Sequence, residues 1–316
     1  MRGFDPDSAA AEGSGIFGLP FKEKEAKLVL IPVPWEATAS YGKGTAKGPR
    51  AIMRASRQID LFDPEVEKPY APGIFMRPER RWGKGASGDA LNDWVHSQAK
   101  ALMGQGKIVG IVGGEHSVPF GAFQAAAEAC GAYGILHFDA HSDTRDAYEG
   151  FQWSHASIMR NAMERIPQVS KLVQVGVRDY CGQEDAFLRG LKGRAKVFFS
   201  HELARRRFAG KPFADTALEV VSCLPERVWV SFDIDALDPS LCPHTGTPVP
   251  GGLGFEEACL ILSSLARSGR RILGFDLVEV APAPDGKDEW DANVGMRVLN
   301  KLAAWTFVSR GLCKPF

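Results

Sequence analysis

The sequence has no surplus of either charge, no apolar run long enough for a membrane, no paired cysteines and no repeat, and each lack removes a class of protein. Lys and Arg number 38 and Asp and Glu also 38, so no global field draws the chain to nucleic acid or an anionic membrane, and any charge recognition is local. No window approaches the roughly 20 uninterrupted apolar residues of a membrane span. The opening "MRGFDPDSAAAEGSGIFGLP" lacks the apolar centre of a secretory signal, and a cytoplasmic protein is expected. Cys130, Cys181, Cys223, Cys242, Cys259 and Cys313 are scattered without a CxxC pair, the pattern of free thiols and not of a disulfide framework or a thiolate zinc site. With no low-complexity tract and no Pro/Gly/Ser linker long enough to separate a pair of folding units, one domain is expected over residues 23–316. A polar leader over 1–22, expected to be extended, precedes it.

At 316 residues and 45% hydrophobic, the chain is able to bury a sizeable core. Runs rich in Val, Ile, Leu and Phe at 27–35, 107–114, 133–139, 171–177, 195–199, 227–235 and 271–280 are apolar without alternation, as in strands buried on both faces. Segments with helical spacing fall at about 47–57, 88–104, 117–130, 155–166, 183–191, 214–224, 255–268 and 291–308. Strand alternating with helix predicts a single three-layer α/β domain around a mostly parallel, doubly wound sheet.

In such sheets ligands bind beyond the carboxyl ends of the strands, and the polar clusters of this sequence fall there. "VGGEHSVPFG" follows one strand, "DAHSD" the next, "DIDALDP" a later one and "EVAPAPD" the last. In "DAHSD", Asp139, His141 and Asp143 occupy alternate positions and so face a common point. "SFDIDALDP" repeats the spacing with Asp233 and Asp235, and His116 follows two glycines that let the backbone turn tightly. A lone Asp-x-His or Asp-x-Asp serves equally well as a helix cap or a loop hydrogen bond. Four carboxylates and two imidazoles at one rim are harder to explain that way, because closely packed carboxylates repel or stay protonated at about 1.4 kcal/mol per unit of pKa. Divalent cations remove that difficulty. Six N/O donors exceed one tetrahedral zinc site and suit two bridged ions of higher coordination, which favours Mn²⁺, Ni²⁺ or Co²⁺ and predicts metal-assisted hydrolysis.

Taken together, "GKGTAKGPRAI", "GGEHS", "DAHSD", "SFDIDALDPS", "TGTPVPGGL" and "DLVEVAP" resemble the ureohydrolase superfamily of arginases, agmatinases and formimidoylglutamases, nearest to agmatinase-like and guanidine hydrolase-like members. The resemblance runs from residue 42 to residue 302. It implies an arginase-like fold and two divalent ions per subunit, manganese or nickel. His116, Asp139, Asp143 and Asp233 would surround one ion, and Asp139, His141, Asp233 and Asp235 the other. Glu115 stands where many relatives have Asp. The resemblance gives Glu279 the substrate guanidinium, a planar cation best met by a bidentate carboxylate. It also gives Asp143 the hydroxide and its proton, and His155 proton transfer or substrate contact, with a structural histidine at a helix start as the alternative. Thr245 and Thr247 are expected to shape the pocket wall, and Asp276 to support the site or tie down the last strand. Trp153 either offers a ring to a cation or packs its loop onto the core. His137 is read as out of phase with the ligand face and pointing away. His96 and His201 have no motif support, and His244 is suspect by location alone.

The substrate implied is a small cationic guanidino compound, namely agmatine, guanidine or an alkylguanidine. The loop "TRDAYEGFQWSHASIMRN" is similar to agmatinase-like members and lacks the Ser/Asn/Gly-bearing loop of an arginase. A homotrimer or homohexamer is expected, with the leader and "DEWDANVGMRVL" placed to cover the site of a neighbouring subunit. Two other readings stand: a formimidoylglutamase, for which Arg145, Arg160 and Arg178 are candidate tail contacts, and a non-catalytic partner subunit.

Overall fold

The computed structural model describes residues 4–83 and 85–316. Its frame is a sheet of eight strands, β1 (Leu28–Val33), β2 (Ile74–Met76), β3 (Ile108–Gly113), β4 (Tyr133–Phe138), β5 (Val169–Val175), β6 (Ala195–Phe198), β7 (Arg227–Asp233) and β8 (Arg271–Val278). The strands are ordered β2-β1-β3-β8-β7-β4-β5-β6, and every pairing is parallel. The helices are α1 (Gly48–Ala55), α2 (Gly88–Gly104), α3 (Phe120–Cys130), α4 (Ile158–Arg165), α5 (Gly182–Gly190), α6 (Ser200–Phe208), α7 (Phe213–Ser222), α8 (Phe255–Arg267) and α9 (Trp290–Ser309).

Period-2 burial splits the core into two layers. Leu28 and Leu30 of β1, Ile108 and Val112 of β3, and Leu136 and Phe138 of β4 join residues of α1, α7, α8 and α9. Their neighbours Val29 and Ile31, Val109 and Ile111, and Tyr133 and Ile135 join residues of α2, α3 and α4. Both sheet faces are thus covered, which is why the strands read as continuous apolar runs. Ile16, Phe17 and Leu19, inside the polar leader, are buried in the first layer; residues 1–3 of that leader lie outside the described residues.

Two elements escaped the sequence pattern. Strand β2 is three residues long and, among the described residues, pairs only with β1, too short for a period to show. Helix α6, "SHELARRRF", buries only Ser200 and Leu203 and so has no apolar stripe.

Register decides the site. Phe138 of β4 lies opposite Phe232 of β7, so the next residues, Asp139 and Asp233, emerge side by side. The two rings stack with centroids 4.8 Å apart, a contact worth about 0.5–1.5 kcal/mol beyond its buried area. The four central strands β3, β8, β7 and β4 therefore end together at one rim.

Helices α2 and α3 approach through Gly121, where a Cβ would stand 2.2 Å from the Asn92 carbonyl oxygen and 2.5 Å from the His96 nitrogen. Gly121→Ala is expected to lower stability by about 2 kcal/mol or more. Gly104→Ala, in open space at the end of α2, is expected to be neutral or to stabilise by up to about 1 kcal/mol. Thermal melts of the two variants side by side check the difference.

Candidate metal centre

The chain reaches the rim by backbone routes that few residues allow. Gly114 passes the end of β1 so closely that a Cβ would lie within 2.8 Å of the Trp35 carbonyl carbon, and this approach lets Glu115 N–H donate to the Trp35 carbonyl at 2.8 Å. Asp143 and Glu279 both adopt the left-handed region, at φ 54° and 62°. For a non-glycine residue that conformation costs about 1 kcal/mol or more, and such strain concentrates at working sites.

Four carboxylates and two imidazoles then meet. His116 Nδ1 lies 3.0 Å from Asp139 Oδ2 and 3.2 Å from both Asp143 Oδ2 and Asp233 Oδ2. His141 Nδ1 lies 3.1 Å from Asp235 Oδ2 and 3.4 Å from Asp139 Oδ1. Asp139 offers one oxygen to each group, and Asp233 joins the first while its Oδ1 accepts the Asp235 N–H at 2.8 Å. All six predicted ligands come together, five of them buried and His141 partly exposed.

The charges in this cluster balance only with help. Burial alone would lower both imidazole pKa values, yet the surrounding carboxylates hold His116 well above its ordinary range and push His141 up to about 12. Burial and the Asp139 charge raise Asp143 to about 7, and burial with Asp235 and Asp139 carries Asp233 well above the carboxylate range. Asp139 goes the other way: burial works against its charge, but His137, His116 and His141 together hold it well below that range. Protons are a poor substitute for cations here, and oxygen and imidazole donors without thiolate suit ions such as Mn²⁺ or Ni²⁺. The donor set fits the expected pair of metals.

Supporting residues fix the ligands. Ser231 Oγ sits 2.9 Å from His116 Nε2 and donates to Asp276 Oδ1 at 2.7 Å, while Trp229 Nε1 donates to Asp276 Oδ2. Asp276 thus ties β7 to β8 and, through Ser231, orients the His116 imidazole at the same time. Thr245 Oγ1 donates to the Glu279 carbonyl at 2.9 Å, and Thr247 Oγ1 lies 3.4 Å from Asp235 Oδ2.

His137 corrects the expectation that it points away. Positions 137 and 139 share a parity, hence a face, and His137 Nε2 lies 2.9 Å from Asp139 Oδ2. Gln174 Nε2 donates to the Ser142 carbonyl and, at 2.9 Å, to His137 Nδ1. That leaves the proton on Nε2, donated to Asp139, so His137 buttresses a ligand.

A cavity of about 130 Å³ opens on His141 and Asp143 and is bordered by Ser40, Tyr148, His155 and Thr247. Two larger cavities, of about 810 and 860 Å³, lie away from the ligands. His155 stands in the wall with its pKa lowered to about 4 by burial and by the charges of His141 and His116, so its imidazole is neutral near pH 7. Glu279 lies behind the rim: Oε1 accepts the His116 N–H at 2.7 Å, and Oε2 lies beside Gly246, where a Cβ would come within 3.2 Å. Burial and then the Glu115 charge raise the Glu279 pKa well above the ordinary range, the condition in which a bound cation is welcome.

Trp153 is set apart from the cavity. Its Nε1 donates to Asp89 at 2.7 Å and its ring packs on Phe120 with centroids 4.7 Å apart, so it fastens its loop to α2 and α3. Arg178 is consumed by carbonyls of Asp235, Leu237 and Val249, and Arg160 pairs with Asp146 and Glu164. Only Arg145 of the three arginines borders the cavity, with its guanidinium 4.7 Å over the Tyr148 ring. His244 binds Asp291 at 2.8 Å and ties its loop to α9; His96 pairs with Glu128, and His201 stacks on Phe199. Sequence reasoning missed Thr38 and Ser40, which contact His155. Their one signal was "ATAS" directly after the first strand.

An all-parallel α/β sheet carrying paired His/Asp ligand groups at its central strand ends defines a metal-dependent hydrolase of the ureohydrolase class. Comparison with known proteins agrees: the arginase family model matches residues 26–304, and the chain belongs to that family. An N(1)-aminopropylagmatine ureohydrolase of Thermus thermophilus is 35% identical over 261 residues, 82% of this chain and 84% of that protein. The agmatinase of Bacillus subtilis is 29% identical over 291 residues, 88% and 91% of the two chains. Among solved structures, proclavaminate amidino hydrolase from Streptomyces clavuligerus superposes with a TM-score of 0.83 at 25% identity, covering 96% of this chain and 99% of that one. Arginase from Medicago truncatula gives 0.75 at 26% identity, covering 92% and 88%. The arginase family normally holds a dinuclear divalent metal centre, and this chain brings together two groups of side chains able to hold an ion, His116, His137, Asp139 and Asp143, and Asp139, His141 and Asp235. Among the described residues no helix is long and apolar enough to cross a membrane.

Since His116, His141 and Asp233 hold protons in the metal-free site and Asp143 is partly protonated near pH 7, metal uptake is expected to release about three protons or more and to weaken as pH falls. Calorimetric titration in buffers of differing ionisation enthalpy measures this. At hundredfold excess over Kd, Mn²⁺ is expected to raise the Tm by about 5 °C, and Asp139→Asn, which serves both groups, to abolish most of that rise.

Proposed function

We propose that this protein hydrolyses the guanidino C–N bond of a small cationic guanidino compound, such as agmatine, guanidine or an alkylguanidine, to urea and an amine or ammonia. The observation that carries the reading is the sharing of Asp139 between two ligand groups that open on one small cavity. The names of the N(1)-aminopropylagmatine ureohydrolase and agmatinase relatives support a cationic guanidino substrate. A cavity of about 130 Å³ equals roughly four waters at about 30 Å³ each, room for a guanidinium and a short tail.

Two divalent ions, manganese or nickel, would be held by His116, Asp139, Asp143, Asp233, His141 and Asp235, and would supply Lewis acidity and an activated water. Asp143, which borders the cavity, would take a proton at a carboxylate oxygen and hold it. Glu279 lies behind the rim and outside the lining of this cavity, so it would accept the paired N–H donors of a guanidinium that reaches past the rim, a charge-assisted contact that fixes the carbon's position. His155, neutral and in the cavity wall, contacts the substrate or passes a proton. The formimidoylglutamase reading is weaker, because Arg145 alone of the candidate arginines borders the cavity. A non-catalytic subunit would have no reason to keep all six ligands.

Urea release from agmatine, guanidine, methylguanidine, guanidinobutyrate, guanidinopropionate and arginine, with protein reconstituted in Mn²⁺ or in Ni²⁺, tests the assignment. Urea is expected from cationic compounds without a carboxylate. No urea from any of them, with metal shown bound, sinks the reading. Glu279→Gln is expected to lower kcat/KM by about 10- to 100-fold, the loss of a charged hydrogen bond.

A further inference from the structure

The "ATAS" segment that follows β1 makes a chain of contacts that ends at His155. Glu115, buried at the end of β3, accepts the Thr38 N–H on Oε2 at 2.7 Å and the Thr38 hydroxyl on Oε1 at 2.7 Å. Ser117 Oγ also donates to that Oε1 at 2.6 Å. Thr38 Oγ1 in turn lies 3.2 Å from His155 Nδ1 and accepts the His155 backbone N–H at 3.2 Å. On the other side of the ring, Ser40 Oγ lies 3.4 Å from Nε2.

A hydroxyl has one hydrogen to give. Glu115 accepts on both oxygens, from the Thr38 N–H and from the Thr38 and Ser117 hydroxyls, so the Thr38 hydrogen goes to Glu115, and Thr38 Oγ1 meets His155 with lone pairs alone. Nδ1 must therefore be the protonated ring nitrogen, and in a neutral imidazole that leaves the lone pair on Nε2, the nitrogen beside Ser40 at the cavity. We propose that Thr38, held by Glu115, is a positioning residue that sets the His155 tautomer so that Nε2 is presented to the substrate as an acceptor. An acceptor there suits a guanidino compound, whose nitrogens carry only donors when charged. This inference rests on the function proposed above for its effect on rate, while the tautomer itself can be read without any turnover.

The test pairs Thr38→Val, which keeps the shape and removes the hydroxyl, with Thr38→Ser, which keeps it. In protein loaded with diamagnetic Zn²⁺ and labelled with ¹⁵N-histidine, long-range ¹H–¹⁵N spectra assign the His155 resonances by their loss in His155→Ala. Wild type and Thr38→Ser are expected to show the proton on Nδ1, and Thr38→Val a mixture of tautomers. With the best guanidino substrate and the active metal, Thr38→Val is expected to lower kcat by about 10-fold or more, and Thr38→Ser by less than about threefold. In a His155→Ala background, Thr38→Val is expected to cost nothing further. A proton on Nε2 in wild type, or an equal loss from Thr38→Val with and without His155, overturns the proposal. If wild type releases no urea at all, the functional reading fails, and the spectra alone then decide the positioning role.

Discussion

Everything in the site follows from one electrostatic constraint: Asp139, a fully buried carboxylate, is placed where three imidazoles and three other carboxylates converge. Such a cluster is not stable as bare charge in a low-dielectric interior. His116 and His141 hold their protons and Asp143 and Asp233 resist losing theirs, while His137 and Gln174 are arranged behind Asp139 to keep it ionised. Packing and hydrogen bonds together hold a site that becomes electrically comfortable once divalent cations replace protons.

The parallel sheet makes this possible. Four adjacent central strands end at one rim, and the apolar runs beneath them are buried on both faces, so the strand ends cannot drift. Phe138 stacked on Phe232 fixes the take-off of Asp139 and Asp233, and Asp276 joins β7 to β8 under His116. Rigid support from below is matched by strain above, where Asp143 and Glu279 adopt a conformation disfavoured for residues with side chains. A stable base holds a strained rim, and the strain aims two carboxylates where a relaxed backbone would not.

The wall opposite the ligands is built differently, from loops. Ser40, with Thr38 buried behind His155, comes from the segment after β1, His155 from a short helical turn before α4, and Tyr148 from the loop that runs from β4 to that turn. Tyr148 packs edge-on to His155 and carries Arg145 over its face. A wall built from loops is freer to vary than a rim held on strand ends.

Much of the fold and most of the ligands were legible in the chain. Continuous apolar runs favoured strands of a covered parallel sheet, and alternate positions put Asp139 and His141 on one face, because both properties are local and follow from backbone periodicity; Asp143 joins them through a left-handed backbone that periodicity does not show. Short β2 and polar α6 were illegible because neither carries a periodic apolar signal. His137 was legible but misread, since its parity already placed it with Asp139. What the sequence could not determine is whatever depends on register and on contacts between distant segments. Phe138 lies opposite Phe232, Thr38 meets both Glu115 and His155, and Trp153 turns to Asp89 and away from the cavity. Those pairings span 64 to 117 positions in the chain for the hydrogen-bonded contacts, and no local propensity encodes them; only the packed tertiary structure brings them within bonding distance.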